Sequence, residues 1–420
     1  MSTRTTFDPA TTLDEFAAIS RSWLESVLER RDIDGETVWG HGSDDVAVFH
    51  ALAPADELEL LRRGSEWQRQ KLMAGFGAIN WPIQHGGAGL TDFHAQVFRE
   101  EEMHFVAPAS HELLRVTVNL VAPTVRVLGT ADQWTELLQP LLAAEVFACQ
   151  LFSEPGAGSD LASVATRATR DGDDWVINGS KVWASGAQFA QWGELIARTD
   201  PTAAKHAGMT ALLVPLDAPG VEVRPIRQMS GGASFNEVFL DDVRIPDSLR
   251  LGEEGDGWRT ALTTLGFERA QSGAKRVGGS WEQLLALAKW AQQAHDPVVR
   301  QELMKVYTGE RLRELTRRRA QARARTPGAT PGPEGSLGKL LWTTGMNKIS
   351  EVASTVLGPR LVADSGEWGT YAWAAHVLGA PGFRIAGGSD EIQRNIIGER
   401  VLGLPPEPRV DKDVPFGPTR

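Results

Sequence analysis

The sequence predicts a mainly α-helical chain interrupted by a β domain. An N-terminal helical domain is expected over residues 1–144, a central antiparallel β-barrel or sandwich over 145–252, a C-terminal helical bundle over 253–404 and a tail over 405–420. Two switches of hydrophobic period carry this division: apolar residues recur at helical spacing up to residue 144, alternate from Val146, and regain helical spacing at Gly257. The third observation is that turn residues recur roughly every 8–12 positions in the middle stretch alone, the mark of antiparallel sheet.

The first helix is placed over residues 13–31, where Phe16, Ile19, Trp23, Leu24 and Val27 keep one face and Thr11 or Thr12 stands ready to cap it. Further helices are expected over 55–74, 92–105, 113–128 and 131–144, broken by Asn80-Trp81-Pro82 and Gly86-Gly87. Strands follow at 163–169, 175–177, 180–184, 194–198, 210–214, 221–226 and 237–239. Asn178-Gly179, between two of them, reads as a two-residue hairpin turn, and period 2 then puts Trp183 and Ser185 on one face. Helical spacing resumes over 257–293, 297–325, 335–357, 367–378 and 390–402, while the proline-rich tail from Pro405 is expected to lack structure. No repeat of 20 to 50 residues is present, which argues against a solenoid.

Composition narrows the function. A chain of 420 residues with 42% hydrophobic and 23% charged residues can bury a large core shared by two or three domains. Its 54 acidic against 43 basic residues give a net charge of −11, which argues against nucleic acid as a main partner. One cysteine, Cys149, excludes an internal disulfide and suits a reducing compartment. No apolar run approaches the roughly 18 residues of a membrane span, and Asp8, Asp14 and Glu15 do not fit a targeting peptide, so the cytoplasm is the expected location. No metal site is expected.

The stretch 152–160, Phe-Ser-Glu-Pro-Gly-Ala-Gly-Ser-Asp, places Gly156, Ala157 and Gly158 where backbone N–H groups can approach a ligand without obstruction by side chains. Alone, a short glycine pattern is common. Three further segments stand with it: NGSKVWAS (178–185), GASFNEVFLDDVRIP (232–246) and IAGGSDEIQRNIIGERVLGLP (385–405). With the order of helices, sheet and bundle, these four segments make the chain resemble the acyl-CoA dehydrogenase family of flavoproteins from about residue 10 to 405.

The resemblance implies bound FAD, an acyl-CoA substrate, a homo- or hetero-oligomer, and electron-transfer flavoprotein or a similar acceptor. In such enzymes a tryptophan packs on the flavin and a neighbouring hydroxyl bonds to the ring; the matching residues are Trp183 and Ser185, with Ser153 at the pyrimidine end and Gln150 and Phe152 beside it. Ser159 matches a position near the CoA phosphates, and Ser389 and Glu391 match positions along the ribityl and diphosphate. The reaction expected is α,β-dehydrogenation, in which a carboxylate takes the α-proton while the β-hydrogen leaves as hydride. Many members carry that carboxylate just before the last long helix, where this chain has Ala386-Gly387-Gly388-Ser389. The family's other place for it falls on Glu268, with Arg269 beside it on the substrate side and Gly387 left to offer only a backbone N–H.

Two departures touch the adenine half of the FAD site. An Arg-x-x-Phe-Gly motif is absent from 284–300, and a Gln-x-x-Gly-Gly motif is reduced to Thr355-Val356-Leu357-Gly358-Pro359, keeping Gly358. The alternatives to a dehydrogenase are a flavin monooxygenase of the same fold and a catalytically silent partner subunit of a heteromeric enzyme.

Overall fold

The computed structural model describes residues 6–31, 38–39, 46–271, 278–324, 333–363, 370–408 and 414–416. The first helix, Leu13–Val27, begins at a capping box in which Thr12 accepts from the Glu15 N–H and the Glu15 carboxylate accepts from the Thr12 N–H. It ends four residues before the expected Arg31, because Leu28 turns extended and Arg30 bridges to Phe105. Its apolar face enters an aromatic cluster in which Trp23 stacks on Trp67 and Phe76 on Phe98. Residues 112–128 form one continuous helix with a π turn at Thr117–Val121. There the Thr117 hydroxyl donates to Leu113 O and accepts from Ala148 N, tying the helix to the strand that leads into the glycine loop.

Among the described residues, eight strands form one open sheet: β1 Ala148–Leu151, β2 Arg167–Asp171, β3 Asp174–Ser185, β4 Trp192–Arg198, β5 Met209–Pro215, β6 Val221–Ile226, β7 Phe235–Pro246 and β8 Arg250–Leu251. The order is β6-β7-β3-β2-β4-β5-β8, with β1 on β4; the β1–β4 and β2–β4 pairings are parallel. One core cluster runs from Leu61 through the 112–142 helices and the sheet to Ala261, so the helix Gly257–Gln271 packs on the sheet beside the N-terminal helices.

The expected hairpin at Asn178-Gly179 is not present. β3 runs unbroken, and the turn into it is Gly172-Asp173, between the paired Asp171 and Asp174. Gly179 serves close approach instead: a Cβ there would sit 2.5 Å from the Thr166 hydroxyl and 2.7 Å from its Cα. Strict alternation also fails further on, since a register shift between Lys181 and Ala184 puts Trp183 at φ +64°.

The C-terminal part holds the helices Trp281–Trp290, Pro297–Ala324, Glu334–Leu357, Thr370–Ile385 and Asp390–Ile396. The last expected helix pattern but one begins at 367, partly outside the described residues, and the helix continues past 378 to Ile385 with Pro381 inside it. Val46 and Val48 pack among these helices, and Phe49 stacks on Phe383 at 5.0 Å. The tail is not wholly structureless. Pro415 bridges to Ala204, Phe416 N bonds Ala203 O, and the Phe416 ring lies 4.0 Å from the Arg198 guanidinium. Among the described residues no helix is long and apolar enough to cross a membrane.

Candidate active site

β1 and the loop after it form one wall of the site. The loop is fixed by Glu154, buried, which accepts from Ala165 N at 2.7 Å, Thr166 N at 3.0 Å and the Lys181 ammonium at 2.7 Å. Lys181, fully buried on β3, spends its other two protons on Phe152 O and Ile196 O. Burial pushes the Lys181 amine down to about 8 although Glu154 opposes this, while the Glu154 carboxyl stays below its ordinary value because Lys181 and its N–H donors outweigh its own burial. The ion pair thus turns Phe152, Ser153 and the glycine loop into a rigid edge. Ser153 O accepts from Val182 N, which joins this edge to the segment bearing Trp183. Beyond it, built Cβ atoms at Gly156 and Gly158 meet nothing within 4 Å, and Ser159 is exposed on the same loop.

Trp183 and Ser185 flank Ala184, which turns into the core while the Trp183 indole is 58% exposed. Asn236 holds this irregular turn by donating to Ala184 O. From Trp183 an edge-to-face contact leads to Phe235 at 6.1 Å, then to Phe49 at 5.4 Å and to Phe383 of the C-terminal helices. Aromatic packing therefore joins the sheet to the helix Thr370–Ile385, which leads into the loop 386–389.

Glu268, near the end of the helix Gly257–Gln271, meets Gly387. Gly387 has φ +64°, and a Cβ built on it would lie 2.9 Å from Glu268 Oε1 and 3.7 Å from its Cδ. The carboxylate occupies the space where a side chain at 387 would begin. The loop is held from below: Lys339 donates to Gly388 O at 2.8 Å, and Gln393 donates to Gly387 O at 3.0 Å. Buried Asp390 receives Arg384 Nε at 2.6 Å and the Thr343 hydroxyl at 2.9 Å. Burial lowers the Lys339 amine, opposed by Asp390 and by Glu268. Arg115, on the helix 112–128, is raised despite its burial by Glu112, with which it pairs, and by Glu268. Two cationic side chains from different helices thus act on the Glu268 carboxylate.

The remaining expected residues spread outward. Ser389 caps the helix Asp390–Ile396, and Glu391 is 74% exposed and paired with Arg394. Gly358 ends the helix Glu334–Leu357 at φ +53°, with nothing within 4 Å of a built Cβ. The side chain of Arg269 lies outside the described residues. Lys339, Lys181, Glu154, Gln393 and Arg115 were not found from the sequence as site residues. A signal existed for Lys339, since Ser336, Lys339, Thr343 and Met346 form a buried stripe at helical spacing that an exposed lysine would interrupt.

Three domain models of one family match the chain in succession: acyl-CoA dehydrogenase N-terminal domain over residues 50–145, middle domain over 149–243 and C-terminal domain over 255–402. The acyl-CoA dehydrogenase IpdE1 of Mycobacterium tuberculosis is 40% identical over 400 residues, spanning 94% of this chain and 98% of that protein. The chain belongs to the acyl-CoA dehydrogenase family. IpdE1 of Mycolicibacterium smegmatis is 39% identical, again over 94% of this chain and 98% of its own length. Among solved structures, the Tcur3481-Tcur3483 steroid ACAD superposes with a TM-score of 0.72 at 26% identity. The ChsE4-ChsE5 complex from Mycobacterium tuberculosis gives 0.70 at 26%; each alignment covers 96% of this chain and 100% of the other.

This acyl-CoA dehydrogenase is an oxidoreductase whose family binds FAD. The residues present fit that group. Gln150 Nε2 is buried with no hydrogen-bond partner, the Trp183 indole presents an open apolar surface, and the glycine loop leaves space no other side chain fills. An orphaned donor, a flat aromatic and unobstructed backbone are what an isoalloxazine ring and a diphosphate require.

Proposed function

We propose that this protein removes the α-proton of an acyl-CoA thioester with Glu268 and yields the 2-enoyl-CoA. The observation that carries the reading is the 2.9 Å between Glu268 Oε1 and the Cβ position of Gly387: the carboxylate stands where the family's C-terminal base would start. A free carboxylate is a weak base toward a thioester α-carbon, so the developing enolate oxygen needs a fixed donor. The Gly387 N–H is assigned that part, on a loop that Lys339 and Gln393 hold by its carbonyls. FAD, when bound, accepts the β-hydrogen as hydride. Gln150, Phe152, Ser153, Trp183 and Ser185 are assigned to its ring, and Gly358, Ser389 and Glu391 to its more distant parts. Ser159 and Arg269 are assigned to the CoA thioester.

The relative described as a steroid ACAD and the two-chain ChsE4-ChsE5 complex support an acyl group carrying a steroid-derived ring and an assembly with a second, unlike chain. The absent Arg-x-x-Phe-Gly motif agrees, because a second chain can supply the groups for the adenine end. Electron-transfer flavoprotein or a similar carrier in the cytoplasm is the proposed acceptor. Glu268→Gln keeps shape and removes basicity. Anaerobic flavin reduction should fall by several orders of magnitude while FAD stays bound, and Glu268→Gly with Gly387→Glu should restore part of it. Reduction at the wild-type rate in Glu268→Gln would end the assignment.

A further inference from the structure

One fully buried carboxyl group takes no part in the site just described. Glu194 lies on β4 at 0% exposure, and its Oε1 is 2.6 Å from the Thr264 hydroxyl. Thr264 stands on the helix Gly257–Gln271 four residues, one turn, before Glu268, and so on the same helix face. The Thr264 hydroxyl is in turn 3.0 Å from that of Thr124, which donates to Leu120 O at 2.7 Å. Glu194 Oε2 is buried with no hydrogen-bond partner. β1 pairs with β4 in parallel with Gln150 opposite Glu194, so the two side chains rise from the same sheet face, and Gln150 Nε2 is the other buried orphan there.

We propose that Glu194 is a positioning residue for the dehydrogenation, acting as the neutral acid that fastens the helix bearing Glu268 to the strand beside the cofactor. The hydrogens count in its favour. Facing an ionised Glu194, the Thr264 hydroxyl is the donor at 2.6 Å; once Glu194 is protonated its own O–H donates to Thr264, which frees the Thr264 hydrogen for Thr124 or for the Thr260 carbonyl at 3.2 Å while Thr124 donates to the Leu120 carbonyl. Its second oxygen remains an acceptor on the sheet face that Glu194 shares with Gln150. An ionised Glu194 would instead place a charge in an interface where, among the described residues, no cation pairs with it.

The groups facing it bear this out. From β5 its register partner is Leu213; from β1 come Gln150 and Cys149, whose thiol burial pushes up to about 12; from the helices come Thr264 and Thr124. The nearest carboxylate on its helical neighbour is Glu268 itself. Burial pushes the Glu194 carboxyl up to about 8, with only Thr264 opposing. For an acid raised in this way, the stability it contributes is fully present below about 4.5, its ordinary value, and is lost as pH rises through about 8.

The inference rests on Glu268 as base, and its test separates the two. Thermal melts of the FAD-free chain and anaerobic flavin reduction are followed from pH 6 to 9.5 in wild type, Glu194→Gln and Glu194→Leu. Glutamine keeps both halves of the hydrogen-bond chain and cannot ionise. The expected result is a melting-temperature gap between Glu194→Gln and wild type that widens with pH and levels off above about 8. Wild type should also show an alkaline loss of flavin reduction that Glu194→Gln lacks, and Glu194→Leu, with the chain broken, should reduce flavin on the order of 10–100-fold more slowly at pH 6.5. If Glu194→Gln does not fold, Glu194→Leu, which also cannot ionise, gives the pH comparison. Identical pH dependence in wild type and Glu194→Gln overturns the proposal, and so does a widening melt gap with unchanged flavin reduction, which would make Glu194 purely structural. Glu268→Gln is compared at pH 6.5, where Glu194 is neutral in every variant, so failure of the base is read independently.

Discussion

Replacing Gly387 by alanine perturbs the proposed base with a single methyl group. The built Cβ lies 2.9 Å from Glu268 Oε1, whereas ordinary contacts begin near 3.4 Å, so the oxygen must retreat by about half an ångström or more. That retreat costs little folding energy, because the atom displaced is the end of a flexible side chain. The backbone cost is that of a non-glycine residue at φ +64°, about 1–2 kcal/mol, which in a chain of this length lowers the melting temperature by only about 1–2 °C. Catalysis is far more sensitive, since misplacement of about 1 Å costs up to ~100-fold. Stopped-flow flavin reduction under saturating acyl-CoA should therefore fall about 10–100-fold with substrate affinity little changed, as expected when a contact made mainly in the transition state is lost. A Gly387→Ala enzyme that reduces its flavin at the wild-type rate would refute the placement of Glu268 over the reacting carbon.

Lys181→Met should destabilise the protein by about 3–5 kcal/mol in chemical denaturation, because it leaves Glu154 buried with N–H donors but no cation; Lys181→Met combined with Glu154→Gln should recover part of that loss. The Glu154 carboxyl is held below its ordinary value, so the stability it contributes is present above about 4.5 and lost as pH falls further, and Glu154→Gln should flatten the acid end of a stability–pH curve. Trp183→Ala should leave the melting temperature of the FAD-free chain within about 2 °C, given an indole 58% exposed, while weakening flavin retention on the order of 10–100-fold in gel filtration and equilibrium titration. Lys339→Met should release the Gly388 carbonyl and lower flavin reduction about tenfold or more, with the ring still bound.

The sequence by itself determined what is written in neighbouring residues. Periods of 3.6 and 2 located the helical, sheet and helical parts, a threonine at 11 or 12 marked the start of the first helix, and four separated motifs pointed to the family. The tertiary structure decided whatever depends on residues far apart in the chain. Asn178-Gly179 has the local preference of a turn, yet it runs through the middle of β3 because a distant residue, Thr166, presses against Gly179 where no side chain fits. Phe49 joins Trp183 to Phe383, and Phe416 returns to Arg198, through contacts that no local period records. Glu194 and Lys181 occupy strand positions where alternation alone gives no reason to expect a carboxyl and an ammonium at 0% exposure. Local conformational preferences are set by adjacent side chains. Burial and charge pairing are set by which elements meet, and that meeting places a carboxylate against Gly387 although more than a hundred residues separate the two.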